Sequence, residues 1–235
     1  MTKALIIPGG PGLSPSYLRP QFDDMLQGHK VIYVNHAQAK NWADCFERVL
    51  KQIDKANLKS DDVVITHSWG SFLALEALKL RKLPCRFVFA NPVPLTSKNI
   101  PDIVSNFRGR LKESELMCLS TFAEAKGTAA GILMIDLMFP AYCGRRGKLP
   151  QLDFNYWPER DAAIAQQTSK YSHLALFRKI NKRSLVLFGE KDYIQPEHFG
   201  YVPVNHKLIP GGHFGYAEKV AKWGKELRNF MAQKA

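Results

Sequence analysis

No cysteine of this 235-residue chain stands in a C-x-x-C pair, and the four present, Cys45, Cys85, Cys118 and Cys143, form no spaced framework. A disulfide scaffold and a thiolate zinc site are therefore not indicated, no metal is expected, and free thiols in a reducing compartment are. The longest apolar stretch, around Ala129 to Pro140, falls short of the roughly 18 residues that mark a transmembrane helix. The opening M-T-K-A-L-I-I-P-G-G breaks off after a few apolar residues without a small-residue cleavage site, so it reads as a strand rather than a signal peptide. A cytoplasmic location is the expectation. No G-K-[ST] follows the glycine-rich turn, and no G-x-G-x-x-G opens a helix, so no nucleotide or other cofactor is expected.

Also missing is any Lys/Arg-rich run with interleaved aromatics, although the chain carries a formal charge of +12. The excess is spread along the sequence and is largest from 176 to 235, with 11 basic against 5 acidic residues. Nucleic acid is therefore not an expected partner. A diffuse solvated surface is the plain interpretation, and attraction of an anionic small-molecule substrate the sharper one. The hydrophobic content of 46% is that of an ordinary globular protein, long enough for one large core.

The most informative stretch runs from Asp61 to Leu80, D-D-V-V-I-T-H-S-W-G-S-F-L-A-L-E-A-L-K-L. Val63 to Ile65 lack polar alternation, as a strand buried on both faces does. Phe72, Leu75 and Leu78, with Ala74 and Ala77, then repeat at helical spacing. Ser68 lies at the junction, with small residues needed two positions either side because strand and helix pass close together there. Gly70 meets that need and Thr66 stands where glycine is commonest, which makes T-H-S-W-G a relaxed nucleophile elbow. Helix capping by Ser68 is the bland alternative.

Upstream, Lys3 to Ile7 reads as a buried strand followed by P-G-G-P-G, Pro8 to Gly12. Beside an elbow, such a loop supplies one backbone N–H to an oxyanion hole, and the residue after the serine supplies the other. Pro11 has no N–H, so Gly10 and Trp69 are the expected donors, with Gly9 the fallback. Gln21–Leu26 and Trp42–Ile53 read as helices, Val31–Val34 and Arg86–Ala90 as strands, and N-P-V-P from Asn91 breaks the pattern. From Leu95 to Ser172 no strand is evident. Helical segments at Leu111–Ala125, Thr128–Phe139 and Pro158–Thr168 suggest an inserted helical lid over 93–175, between core segments 1–92 and 176–235.

Ser184–Phe188 resumes a buried strand and places Asp192 in the loop after it. Asn205–Ile209 is a further strand, and G-G-H-F-G puts His213 in the next loop. In a parallel sheet the strand C-terminal ends share one edge, so Ser68, Asp192 and His213 can meet there as nucleophile, orienting acid and base. His67 and His206 compete for the base role by residue type. His67 adjoins the nucleophile and is expected to point away, and His206 falls inside a strand. Asn91, just after the fourth strand, is not an acid, and Asp192 is the stronger choice. Tyr216, Val220, Trp223, Leu227 and Phe230 step as one closing helix.

From G-G-P-G through S-W-G-S-F-L-A-L to G-E-K-D and G-G-H, the chain resembles the α/β-hydrolase family over almost its whole length, with motifs nearest the proline iminopeptidase-like branch. A histidine usually precedes the glycines in that branch, and here the position is Pro8. The resemblance implies an α/β fold, a mostly parallel sheet flanked by helices with an inserted lid, and a metal-free serine hydrolase. The expected reaction is cleavage of an ester, thioester or amide of a small, partly apolar substrate. An aminopeptidase acting on N-terminal proline and a non-catalytic ligand-binding or interaction protein on the same scaffold are the alternatives. Neither the bond type nor an oligomeric state is encoded in these motifs.

Overall fold

The computed structural model describes residues 1–121, 126–144, 152–165 and 170–233. Its centre is a six-stranded sheet in the order β2-β1-β3-β4-β5-β6, comprising β1 (Lys3–Ile7), β2 (Lys30–Tyr33), β3 (Val63–His67), β4 (Arg86–Ala90), β5 (Ser184–Gly189) and β6 (His206–Ile209). Every pairing is parallel. β3, β4 and β5 are buried along their whole length, whereas the edge strands β2 and β6 are largely exposed or half-buried. This is why the central strands lack polar alternation.

Alternate residues of the strands feed two cores. Leu5, Val64, Phe87, Phe89, Val186 and Phe188 pack on one face with α2 (Trp42–Ala56), α3 (Gly70–Leu80) and α8 (Leu174–Ile180). Ile6, Ile65, Val88 and Leu187 pack on the other with α1 (Arg19–Met25) and α10 (Val220–Ala232). Cys45 and Cys85 are buried in the first core, and burial pushes both thiols up to about 12. They are packing residues at neutral pH.

Between β4 and β5 the chain forms α4 (Ile100–Gly109), α5 (Glu113–Thr121), α6 (Gly127–Cys143) and α7 (Pro158–Ala165). The ends of two expected helices, 122–125 and 166–168, lie outside the described residues. α4 and α8 are additions to the sequence reading. The closing helix differs as well: Lys219, at φ −138° and ψ 51°, separates α9 (Gly215–Glu218) from α10. Tyr216, Trp223, Leu227 and Phe230 still share one core, so the apolar face outlasts the break in hydrogen bonding. Among the described residues no helix is long and apolar enough to cross a membrane.

Candidate active site

Ser68 follows β3 directly and adopts φ +51°, a left-handed conformation that is uncommon for any residue with a side chain. It persists because both flanks are fixed. The Ser68 N–H donates to Ala90 O at 3.0 Å, and its own carbonyl accepts from Ser71 N–H at 3.0 Å in the first turn of α3. At Gly70 a Cβ would stand 2.3 Å from Ile7 O and 2.6 Å from Pro8 O. The glycine of the elbow is thus demanded by β1 crossing beneath the helix start. Thr66 is tolerated because it is buried with its hydroxyl donating to Val88 O at 3.3 Å. Gly70→Ala is expected to destabilise the protein by about 3 kcal/mol, the scale of a backbone overpacking clash, as a lower urea midpoint with unchanged m.

Asp192 sits in the loop after β5 and is fully buried. Its Oδ1 accepts from Ile194 N–H at 3.0 Å, and both carboxylate oxygens accept from His213 Nδ1, at 3.0 and 2.9 Å. That pairing fixes the imidazole tautomer and leaves Nε2 as the ring nitrogen available to another group. Arg110, on the chain after α4, donates to Lys191 O and Asp192 O, both at 2.7 Å, and so ties the acid loop to the inserted helices. The His213 N–H donates to Tyr142 O at 2.7 Å, and the Tyr142 ring stacks on the imidazole with centroids 5.3 Å apart.

Ser68 and His213 line one cavity of about 50 Å³ together with Gly9, Gly10, Tyr17 and His67. Among the described residues no hydrogen bond joins Ser68 Oγ to His213; such contacts often close only when substrate binds. Gly10 has φ +52°. Neither its N–H nor that of Trp69 donates to any described residue, so both are open donors beside Ser68. The fallback donor is spoken for, because Gly9 N–H donates to the Tyr17 hydroxyl at 2.8 Å.

Two residues depart from the sequence reading. His67 does not point away: strand alternation puts it on the face of Val63 and Ile65, and its ring lies 4.9 Å from that of His213. Its Nδ1 accepts from Tyr17 Oη at 2.8 Å and its Nε2 donates to His213 O at 2.9 Å, which leaves no ring nitrogen for base work. Burial holds this imidazole well below the usual histidine range, and the His213 ring beside it adds to the effect. His206, in β6, is exposed and bonded through Nδ1 to Pro203 O at 2.8 Å, away from the cavity. Asn91, noted in the sequence as the start of a break and as no acid, is an anchor. Its Nδ2 donates to Gly212 O at 3.2 Å and His213 O at 2.7 Å, and its Oδ1 accepts from Gly189 N–H at 2.7 Å.

A second cavity of about 190 Å³ adjoins the elbow through Trp69 and is walled by apolar side chains, among them Phe72, Val93, Ile100, Ile103 and Tyr193. Tyr193 also packs on His213, with ring centroids 5.0 Å apart. Among the described residues no cluster of three or more His, Cys, Asp or Glu could hold a metal ion.

A parallel sheet with a strained serine after β3, and an acid–histidine pair presented at the same edge, defines the class of α/β hydrolases. The family model described as "Alpha/beta hydrolase family" matches residues 5–223, and the chain belongs to that family. A search of curated proteins finds no match. Among solved structures it is similar to VinJ, at 16% identity and a TM-score of 0.69, covering 100% of this chain and 91% of that one. It is also similar to the proline iminopeptidase of Mycobacterium smegmatis, at 16% identity and 0.66, covering 99% and 90%. The esterase EaEST of Exiguobacterium antarcticum follows at 13% identity and 0.59, covering 99% and 92%. At these identities the likeness shows the fold, and function rests on the site itself.

Proposed function

We propose that the protein is a metal-free serine hydrolase that cleaves an ester, thioester or amide of a small, partly apolar substrate through an acyl-enzyme. The observation that carries this reading is His213, paired with the buried Asp192, lining one cavity with Ser68 in its strained turn. Ser68 Oγ attacks the substrate carbonyl while His213 Nε2 takes its proton, and Asp192 stabilises the imidazolium that results. The oxygen of the tetrahedral intermediate faces the N–H groups of Gly10 and Trp69. Collapse expels the leaving group, which receives the proton from His213. Water, activated by the same histidine, then releases the acid and restores Ser68.

The apolar cavity beside Trp69 suits a short acyl group, and α4 covers it through Ile100 and Ile103. The basic surface favours an anionic leaving portion, and the buried thiols of Cys45 and Cys85 suit a cytoplasmic setting. Side-by-side turnover of p-nitrophenyl acetate and butyrate, a short acyl-CoA and a proline amide tests the reading. Preference for the proline amide supports an aminopeptidase, and failure on every substrate argues for a non-catalytic binding protein.

Ile103, on α4 and buried in that cavity wall, offers a test of the acyl subsite. Ile103→Trp is expected to lower kcat/KM for the butyrate ester by roughly tenfold or more, the scale of losing methylene-sized contacts in an apolar pocket. Acetate hydrolysis should be retained. Equal losses on both esters would place the acyl group elsewhere.

A further inference from the structure

The hydrogen bonds behind the nucleophile form a chain with only one possible polarity. Gly9 N–H is a donor only, so the Tyr17 hydroxyl accepts from it and has its own proton for His67 Nδ1. His213 C=O is an acceptor only, so His67 carries its proton on Nε2 and donates it there. The chain begins in the glycine loop one residue before Gly10, passes under Ser68, and ends on the backbone of His213. All its members are buried. His67 must be neutral for it to close, since a proton on Nδ1 would meet the Tyr17 hydrogen. Burial and the neighbouring His213 ring favour that neutral form.

We propose that Tyr17 and His67 are positioning residues that lock the glycine loop to the histidine loop, holding the Gly10 donor and the His213 base in register across Ser68. The inference rests on the serine-hydrolase reading above. Packing alone would give a different picture: Tyr17 already lies against His67, Phe154 and Phe214 through its ring, and that contact needs no hydroxyl. Asn91 secures the same His213 carbonyl from the β4 side, so losing the His67 bond loosens the loop without releasing it. At the other end, Gly9 N–H has no second acceptor among the described residues, and the loop's remaining ties, His36 Nε2 to Pro8 O at 3.4 Å and Trp157 N–H to Gly12 O at 3.2 Å, flank Gly9 and Gly10 without holding them. Gly9 and Gly10 are therefore the segment that moves when the hydroxyl is removed.

Tyr17→Phe keeps the ring and strands two buried groups, Gly9 N–H and His67 Nδ1. The expected result is a roughly tenfold fall in kcat on p-nitrophenyl acetate, the scale of an unmade buried hydrogen bond, with KM within about twofold. Ser68 phosphonylation should slow in parallel. His67→Gln, whose amide nitrogen can still reach the carbonyl, should retain more kcat than His67→Leu. The Tyr17→Phe/His67→Gln double variant should lose close to what the worse single loses, and clearly less than the product of the two, because one chain is broken twice. On the wild-type protein, nitrogen NMR should find His67 protonated on Nε2 alone.

Wild-type kcat in folded Tyr17→Phe, additive losses in the double variant, or a proton on His67 Nδ1 would each overturn the inference. The NMR result stands even where a variant fails to fold. Wild-type protein whose Ser68 never reacts with a phosphonate removes the hydrolase reading and this inference together. Wild-type protein that reacts, with an unimpaired Tyr17→Phe, removes the inference alone.

Discussion

Ser68→Ala and His213→Ala should each lower turnover of an accepted ester by on the order of 10⁴-fold or more, and the double variant should be no worse than either single. The reason is that the two groups perform one step. Without His213 Nε2 the hydroxyl keeps its proton and is a weak nucleophile, and without Ser68 the imidazole has nothing to activate. Asp192→Asn tests the third member by a different route. Its amide would present a donor toward His213 Nδ1, where both carboxylate oxygens now accept at 2.9 to 3.0 Å, and the favoured tautomer would invert. A loss of about 10⁴-fold is expected from that inversion, with the fold preserved. Rates measured on the singles and the double are the check. Independent, multiplicative losses would contradict a shared mechanism.

Gly10→Val should depress turnover by about a hundredfold or more, the scale of losing one oxyanion donor. Gly10 holds φ +52°, and a Cβ there would stand 2.7 Å from Leu13 Cδ1 and 3.1 Å from Leu13 Cγ. A β-branched residue is a genuine outlier at that φ, so the backbone must leave the left-handed region and carry its N–H away from Ser68. Leu13 is the end of a flexible side chain and can yield, which lets the fold survive by circular dichroism. Trp69→Ala is the contrasting variant. Its donor is a backbone N–H that the substitution leaves in place, while the indole that walls the 190 Å³ cavity is lost. It should therefore raise KM for longer acyl esters more than it lowers kcat for acetate. Normal turnover in Gly10→Val would reduce P-G-G-P-G to a plain turn.

The elements legible in the sequence were those with local signals. The β3–α3 junction could be read from an unbroken apolar run, a small-residue elbow and helical spacing, all within twenty positions. Asp192 and His213 followed from one rule, that loops after parallel strands open on a common edge. What escaped depended on partners far along the chain. The direction of His67 is set by Tyr17, 50 positions earlier, and by a carbonyl 146 positions later. Asn91 anchors loops about a hundred residues downstream, and nothing in N-P-V-P announces that. The seven-residue α8 is too short to show a periodicity. α4, with Pro101 in its first turn where proline is compatible with a helix, went unread in the sequence. The division of α9 from α10 at Lys219 left no trace in the apolar spacing, because that spacing records which face is buried and not whether every backbone bond is made.

The measurement that bears most directly on the central claim is covalent trapping. The intact protein is incubated with a fluorophosphonate, digested, and the adduct mapped by mass spectrometry, with Ser68→Ala treated alongside. A single phosphonyl group on Ser68, absent from the variant and slowed by His213→Ala, is the result predicted. Labelling at another residue, or equal labelling of Ser68→Ala, would contradict the assignment of Ser68 as the nucleophile.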